Sequence, residues 1–201
     1  AGTPKIFNFL QIRPIVHTEE THTINLDHIK AEDTIIYSES ALGNGVFKGI
    51  HDLVYVKPES FNSSNNKNVA IEIDKINGLF VKQGKGYVLI GPGRWGSTDP
   101  WLGIPVKWPQ ISAARIIIES GLKNYRIDPS QGTHFFQNLT SFRVGYFTIN
   151  PFINEGYYDV NFLNKLEAGY EDNYIRHVRF ENPLEIMVDG KKHRGVIIKP
   201  T

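Results

Sequence analysis

The sequence predicts an α+β domain: mostly antiparallel or mixed sheet, with two to three helices. Three observations predict it. Short runs of β-branched and aromatic residues recur along the chain, 18 Gly and 11 Pro fall largely between them, and only a few stretches carry apolar residues at helical spacing. At 201 residues, one domain of ordinary size, or one with a small appendage, can bury an adequate core without disulfides or metals.

The first run, Lys5 to Pro14, alternates Ile6, Asn8, Leu10 and Ile12 against Phe7, Phe9, Gln11 and Arg13, and reads as a strand stopped by proline. It starts at Ala1 without an initiator Met, which suggests a piece cut from a longer chain. Residues 17–32 are polar and read as a linker. Thr34–Ser38 and Asp52–Val56 read as strands bracketing the glycine-rich Gly43-Asn44-Gly45.

From Asn68 the period changes. Val69, Ile73, Ile76 and Phe80 form the stripe of an amphipathic helix, with Ser63-Ser64-Asn65-Asn66 offering caps before it and Gly84 able to end it. Tyr87–Ile90 reads as a buried strand running into Gly91-Pro92-Gly93-Arg94-Trp95-Gly96. Pro100, Pro105 and Pro109 then forbid a continuous helix, because each lacks a donor N–H and obstructs the preceding turn. Ala113–Ile118 suits a strand, although Ile111–Glu119 also suits a buried helix. Gly132 to Leu139 reads as a second helix, Arg143–Ile149 as a strand and Asp159–Ala168 as a third helix. Three strands close the chain at Ile175–Phe180, Leu184–Val188 and Gly195–Ile198, the last two joined across Asp189-Gly190.

Composition narrows the function classes. With 22 Lys+Arg against 21 Asp+Glu and no long basic block, the footprint of a nucleic-acid binder is missing. No stretch approaches the roughly 20 apolar residues of a membrane-spanning helix, and no signal peptide is apparent. The expectation is a cytoplasmic chain with neither nucleic acid nor membrane as partner. The absence of Cys excludes thiolate chemistry, and His17, His22 and His28 lack metal-ligand spacing, so no metal site is expected. Asn138-Leu139-Thr140 matches a glycosylation acceptor without a secretory signal, and Lys191–Arg194 reads as a charged hairpin tip.

Two segments concentrate chemistry. Gly91-Pro92-Gly93-Arg94-Trp95-Gly96 formally matches the dinucleotide fingerprint, with Glu119 at the distance of its acid, but Pro100, Trp101, Gly103 and Pro105 stand where the phosphate-binding helix must begin. The dinucleotide reading is therefore rejected. What remains is a loop in which Gly91 and Gly93 allow close backbone approach, Arg94 can bind an anion, Trp95 can stack, and Ser97 adds a hydroxyl. The structural alternative has Arg94 paired with an internal acid and Trp95 filling the core. In the second segment, Arg126, Thr133 and His134 precede or open the predicted second helix, where free N–H groups stabilise phosphate. His134 is either a phosphate-binding or relaying residue or a buried core histidine capped by Thr133. If Arg94, Trp95, Arg126 and His134 converge on one open site, ligand binding is favoured.

Phe9-Leu10-Gln11-Ile12-Arg13-Pro14 resembles the closing strand of the ATP-grasp domain in the phosphoenolpyruvate synthase and pyruvate phosphate dikinase family, which typically ends in Gln-x-Arg-Pro. The resemblance implies that residues 1–16 end an ATP-grasp domain, that Gln11 and Arg13 reach nucleotide phosphates, and that 33–201 form a C-terminal α+β domain. Ala41–Gly45, Gly91–Gly96 and Gly132–Phe136 look like the C-terminal region of bacterial proteins of this phosphoenolpyruvate synthase-like, pyruvate-binding type. The implied parent is a phosphotransferase using ATP and Mg2+, and the missing ATP-grasp domain is the implied partner. Gly132-Thr133-His134 echoes only the Thr and His of the family's Gly-Gly-x-Thr-Ser-His phosphocarrier motif. The pyruvate barrel, the lysine-bearing lobe and the magnesium-binding acids are not visible, so this chain alone is expected to bind no cofactor and to be inactive as a kinase. Its expected service is ATP or phosphate binding, phosphoryl relay, or binding of a small anion. A noncatalytic regulatory or assembly module is the alternative.

Overall fold

The computed structural model describes residues 24–123, 126–128, 138–139 and 141–200. Its strands are β1 (Thr34–Ser38), β2 (Ser40–Leu42), β3 (Gly45–Phe47), β4 (Asp52–Val56), β5 (Tyr87–Pro92), β6 (Arg94–Trp95), β7 (Gly103–Ile104), β8 (Ala114–Ser120), β9 (Gly145–Ile149), β10 (Tyr157–Tyr158), β11 (Ala168–Glu171), β12 (Ile175–Arg179), β13 (Ile186–Asp189) and β14 (Arg194–Ile198). Beside them the described residues include the α-helices α1 (Asn66–Gln83) and α2 (Val160–Lys165). This is the α+β class that the sequence predicts.

A seven-stranded mixed sheet, ordered β11-β12-β4-β5-β8-β9-β2, lies against a five-stranded sheet ordered β10-β1-β14-β13-β3. In the larger sheet β4, β5, β8 and β9 run parallel, flanked by antiparallel β12 and β2. All pairings of the smaller sheet are antiparallel. The central parallel strands are covered on both faces, which is why Tyr87–Pro92 is buried at every position and reads as a continuous apolar run. One face carries Val54, Leu89, Ile117 and Tyr146 against Val69, Ile73, Ile76 and Phe80 of α1. The other carries Leu53, Val88, Ile118 and Phe147 against Ile35, Ile36, Val188 and Ile197 of the smaller sheet. Layers of helix, sheet and sheet result.

From Ala114 onward the ambiguous Ile111–Glu119 segment is a strand: β8 sits between β5 and β9, with every residue but Arg115 buried, while Ile111 closes a short 3-10 turn. The α1 stripe packs inward as its period requires, and Phe80 stacks on Tyr87 at 4.6 Å between ring centroids. Gly84, at φ 63°, ends the helix in the left-handed conformation. Its start differs from expectation. Asn65 offers no side-chain cap; instead Asn62 Oδ1, in the preceding turn, accepts the N–H groups of Ser64 and Asn65. Asn66 turns inward, fully buried, and donates to the carbonyls of Pro100 (2.6 Å) and Gly103 (3.1 Å). Asp159 caps α2 by accepting the Phe162 N–H at 2.9 Å.

Part of the segment read as a linker is docked. Leu26 is 1% exposed, and Asp27 pairs with Lys192 (2.5 Å) and Arg194 (2.7 Å) on the predicted hairpin between β13 and β14. His28 is exposed, while His17 and His22 lie outside the described residues, as do the predicted strand at Lys5–Pro14 and all but Asn138 and Leu139 of the predicted second helix. No described helix is long and apolar enough to cross a membrane.

Candidate functional site

The carboxyl ends of β4, β5, β8 and β9 share one edge of the larger sheet, and in open α/β sheets that edge is where ligands bind. The predicted glycine loop leaves β5 there. Gly93 takes φ 78° and its N–H donates to the Ser120 carbonyl at 2.9 Å, so the loop stays fastened to β8 beyond the end of β5. The chain then forms β6, parallel to β7, with Arg94 opposite Gly103 and Trp95 opposite Ile104.

Trp95 is not a ligand platform. It is 2% exposed, so the stacking role expected of it is corrected: its ring covers Gly91, where an added Cβ would lie 2.3 Å from ring carbon Cζ2. Gly91 therefore serves packing of the indole rather than backbone approach by a ligand. The indole Nε1 donates to the Ile118 carbonyl at 3.1 Å, and the Trp95 backbone N–H donates to Glu119 Oε1 at 2.9 Å. Glu119 is fully buried, and its Oε2 accepts the Tyr146 hydroxyl at 2.5 Å. The acid noticed for its fingerprint spacing thus anchors the loop from beneath.

Among the described residues Arg94 pairs with no acid: its Nη2 makes one long bond, 3.4 Å, to the Asp128 carbonyl, and its buried Nε has no hydrogen-bond partner. A buried donor left without an acceptor costs about 1–3 kcal/mol, and such groups in native proteins call for a reason. With Nε closed off from solvent, the Nη groups are the donors left to hold a carboxylate or phosphate.

Arg126 converges on the same residue. Its Nη1 bonds Asp128 Oδ1 and its Nε donates to Glu155 Oε2 at 2.9 Å, both on the surface. The Glu155 hydrogen bond and charge raise its pKa, deepening its hold on the proton. Asn150, just after β9, straps this segment down by accepting the Ile127 N–H at 2.8 Å and donating to the Ile127 carbonyl at 3.0 Å. Ile127 is 1% exposed, so the strap fixes Asp128 beside Arg94. Ser97 spends its hydroxyl on its own turn, donating to the Asp99 carbonyl at 3.0 Å. Gln11, Arg13, Thr133 and His134 lie outside the described residues.

The structure thus brings Arg94 and Arg126 together at Asp128 and withdraws Trp95 into the core. Glu119, Tyr146, Asn150 and Glu155 have roles here that no local pattern announces, because each is reached from another strand or loop.

A second polar cluster occupies the opposite edge. Asp52, at the amino end of β4, is 2% exposed and accepts from His177 Nε2 (2.8 Å) and Arg179 Nη1 (2.7 Å). Burial pushes its carboxyl up, but the His177 hydrogen bond and the Arg179 charge outweigh burial and hold it below its ordinary value. A depressed folded-state pKa gives stability that is present above the unfolded value of about 3.9 and is lost as pH falls through the folded one. Urea midpoints followed from neutral to acid pH should therefore fall more steeply below about pH 4 in the wild type than in Asp52→Asn. Parallel acid limbs would show that Asp52 does not supply that dependence.

Compared with known proteins, the chain matches no family model, no curated protein and no solved structure.

Proposed function

We propose that this chain is the C-terminal part of an ATP-dependent phosphotransferase resembling phosphoenolpyruvate synthase, and that the carboxyl edge of its central strands binds a small anion through Arg94. The observation supporting the anion site is the Arg94 guanidinium, which among the described residues makes one long Nη2 contact and no Nε contact, at the edge where the parallel strands end. Such a group stabilises phosphate or carboxylate by charge and by paired hydrogen bonds, the contribution phosphoryl transfer asks of a protein. Gln11 and Arg13 would complete the ATP site with the parent's ATP-grasp domain and its Mg2+, as the resemblance implies.

The assembly-module reading is favoured by one observation. Gly91 and Trp95 serve packing, so much of the glycine loop is architecture. Phosphoryl transfer in the parent polypeptide separates the two. With β- and γ-labelled ATP, acid-labile label that disappears in His134→Ala is the result expected of a relay adjoining the Arg94 site. Label unchanged by that substitution would confine this domain to anion binding. No label, together with no anion bound at Arg94, would leave the assembly module.

A further inference from the structure

We infer that the anion held at Arg94 belongs to a mononucleotide whose base stacks on Trp101. The inference rests on the anion-binding reading above and names the ligand class. Trp101 is 72% exposed, more than any other large apolar side chain described. Its exposure is not that of a loose tip. The Arg94 N–H donates to the carbonyl of the very next residue, Leu102, at 2.8 Å; Leu102 N–H donates to the Asp99 carbonyl at 3.1 Å; and Trp101 N–H donates to Asp99 Oδ1 at 2.9 Å. The buried Asn66 amide, at the start of α1, grips the carbonyls on either side, of Pro100 and Gly103. Five hydrogen bonds therefore hold the backbone of the turn that carries Trp101, one residue from the carbonyl that the Arg94 N–H bonds.

An exposed indole carried on a turn held in this way is a stacking surface whose backbone is already ordered before a flat ring lies on it. Aromatic rings stack on nucleobases without needing to read their edges, and an arginine whose backbone is bonded to the same turn can supply the phosphate contact. A mononucleotide joins these two chemistries through one ribose. Inorganic phosphate or a small carboxylate would use Arg94 and leave Trp101 idle.

The test is equilibrium binding of ADP, ribose 5-phosphate and adenosine to the 201-residue chain, with Trp101→Ala and Arg94→Lys variants whose thermal unfolding is checked against wild type. ADP should bind about tenfold or more tightly than ribose 5-phosphate. Trp101→Ala should erase that advantage and leave ribose 5-phosphate unaffected, whereas Arg94→Lys should weaken both. Equal affinities of ADP and ribose 5-phosphate, or an ADP affinity unchanged by Trp101→Ala, would overturn the base platform while leaving the anion site. Failure of both phosphorylated probes to bind would overturn the anion site and the inference together. Adenosine binding as tightly as ADP, unchanged in Arg94→Lys, would overturn the pairing of base with anion.

Discussion

Glu119→Ala should lower the unfolding free energy by about 3–5 kcal/mol, because it deletes a fully buried acceptor that serves two elements at once. The Trp95 N–H and the Tyr146 hydroxyl would both be left without this acceptor, at positions buried from solvent. The first holds β6 to the sheet and the second ties β9 to β8, so the loss falls on the loop and on the parallel core together. Glu119→Gln keeps an acceptor oxygen for one of the two donors but turns an amide N–H toward the other; about 1–2 kcal/mol is expected from it. Urea unfolding followed by tryptophan emission measures both. A cost under about 1 kcal/mol for the alanine variant would mean that the Arg94 loop does not depend on this anchor.

Arg94→Ala should weaken phosphate binding by about 30-fold or more, equivalent to roughly 2 kcal/mol, while moving stability far less. The asymmetry follows from its bonding. Arg94 makes one long contact within the described protein, so removing it costs the fold little and even relieves a buried donor that lacks a partner. Arg94→Lys should lose nearly as much affinity, since an ammonium keeps the charge without the two parallel N–H groups. Isothermal titration with inorganic phosphate measures this, and added salt should weaken the wild-type affinity. A large stability loss with no affinity to lose would place Arg94 among the structural residues.

Much of the fold is legible because its strands and helices obey local periods. The α1 stripe of Val69, Ile73, Ile76 and Phe80 faces the sheet, and β5 reads as a strand buried on both sides. What local patterns do not carry is which sheet a strand joins. Thr34–Ser38 and Asp52–Val56 look like neighbours across a glycine-rich connection, yet β1 and β4 belong to different sheets, with β2 and β3 between them. Pairing is decided by contacts distant in sequence. The same holds for Asn66, whose type suits a helix cap but whose amide finds two better partners in the Pro100–Gly103 turn.

The site divides in the same way. Arg94 and Arg126 are visible from their chemistry, and the fold brings both to Asp128. Trp95 misleads because an indole in a glycine loop has the same composition whether it faces ligand or core; only the bare Gly91 beneath the ring decides. Trp101 is visible only as an obstacle to a helix, and its exposure emerges from hydrogen bonds that a linear reading does not contain.

An anion taken by the Arg94 guanidinium, as proposed, is reported directly by the Arg94 Nε–H resonance. The signal, assigned by its loss in Arg94→Lys, should move downfield and saturate as inorganic phosphate is titrated into the folded chain, with the Arg126 resonance moving less because its Nε is already bonded to Glu155. An Arg94 resonance that stays in place through physiological phosphate concentrations, while the chain remains folded, would contradict the account.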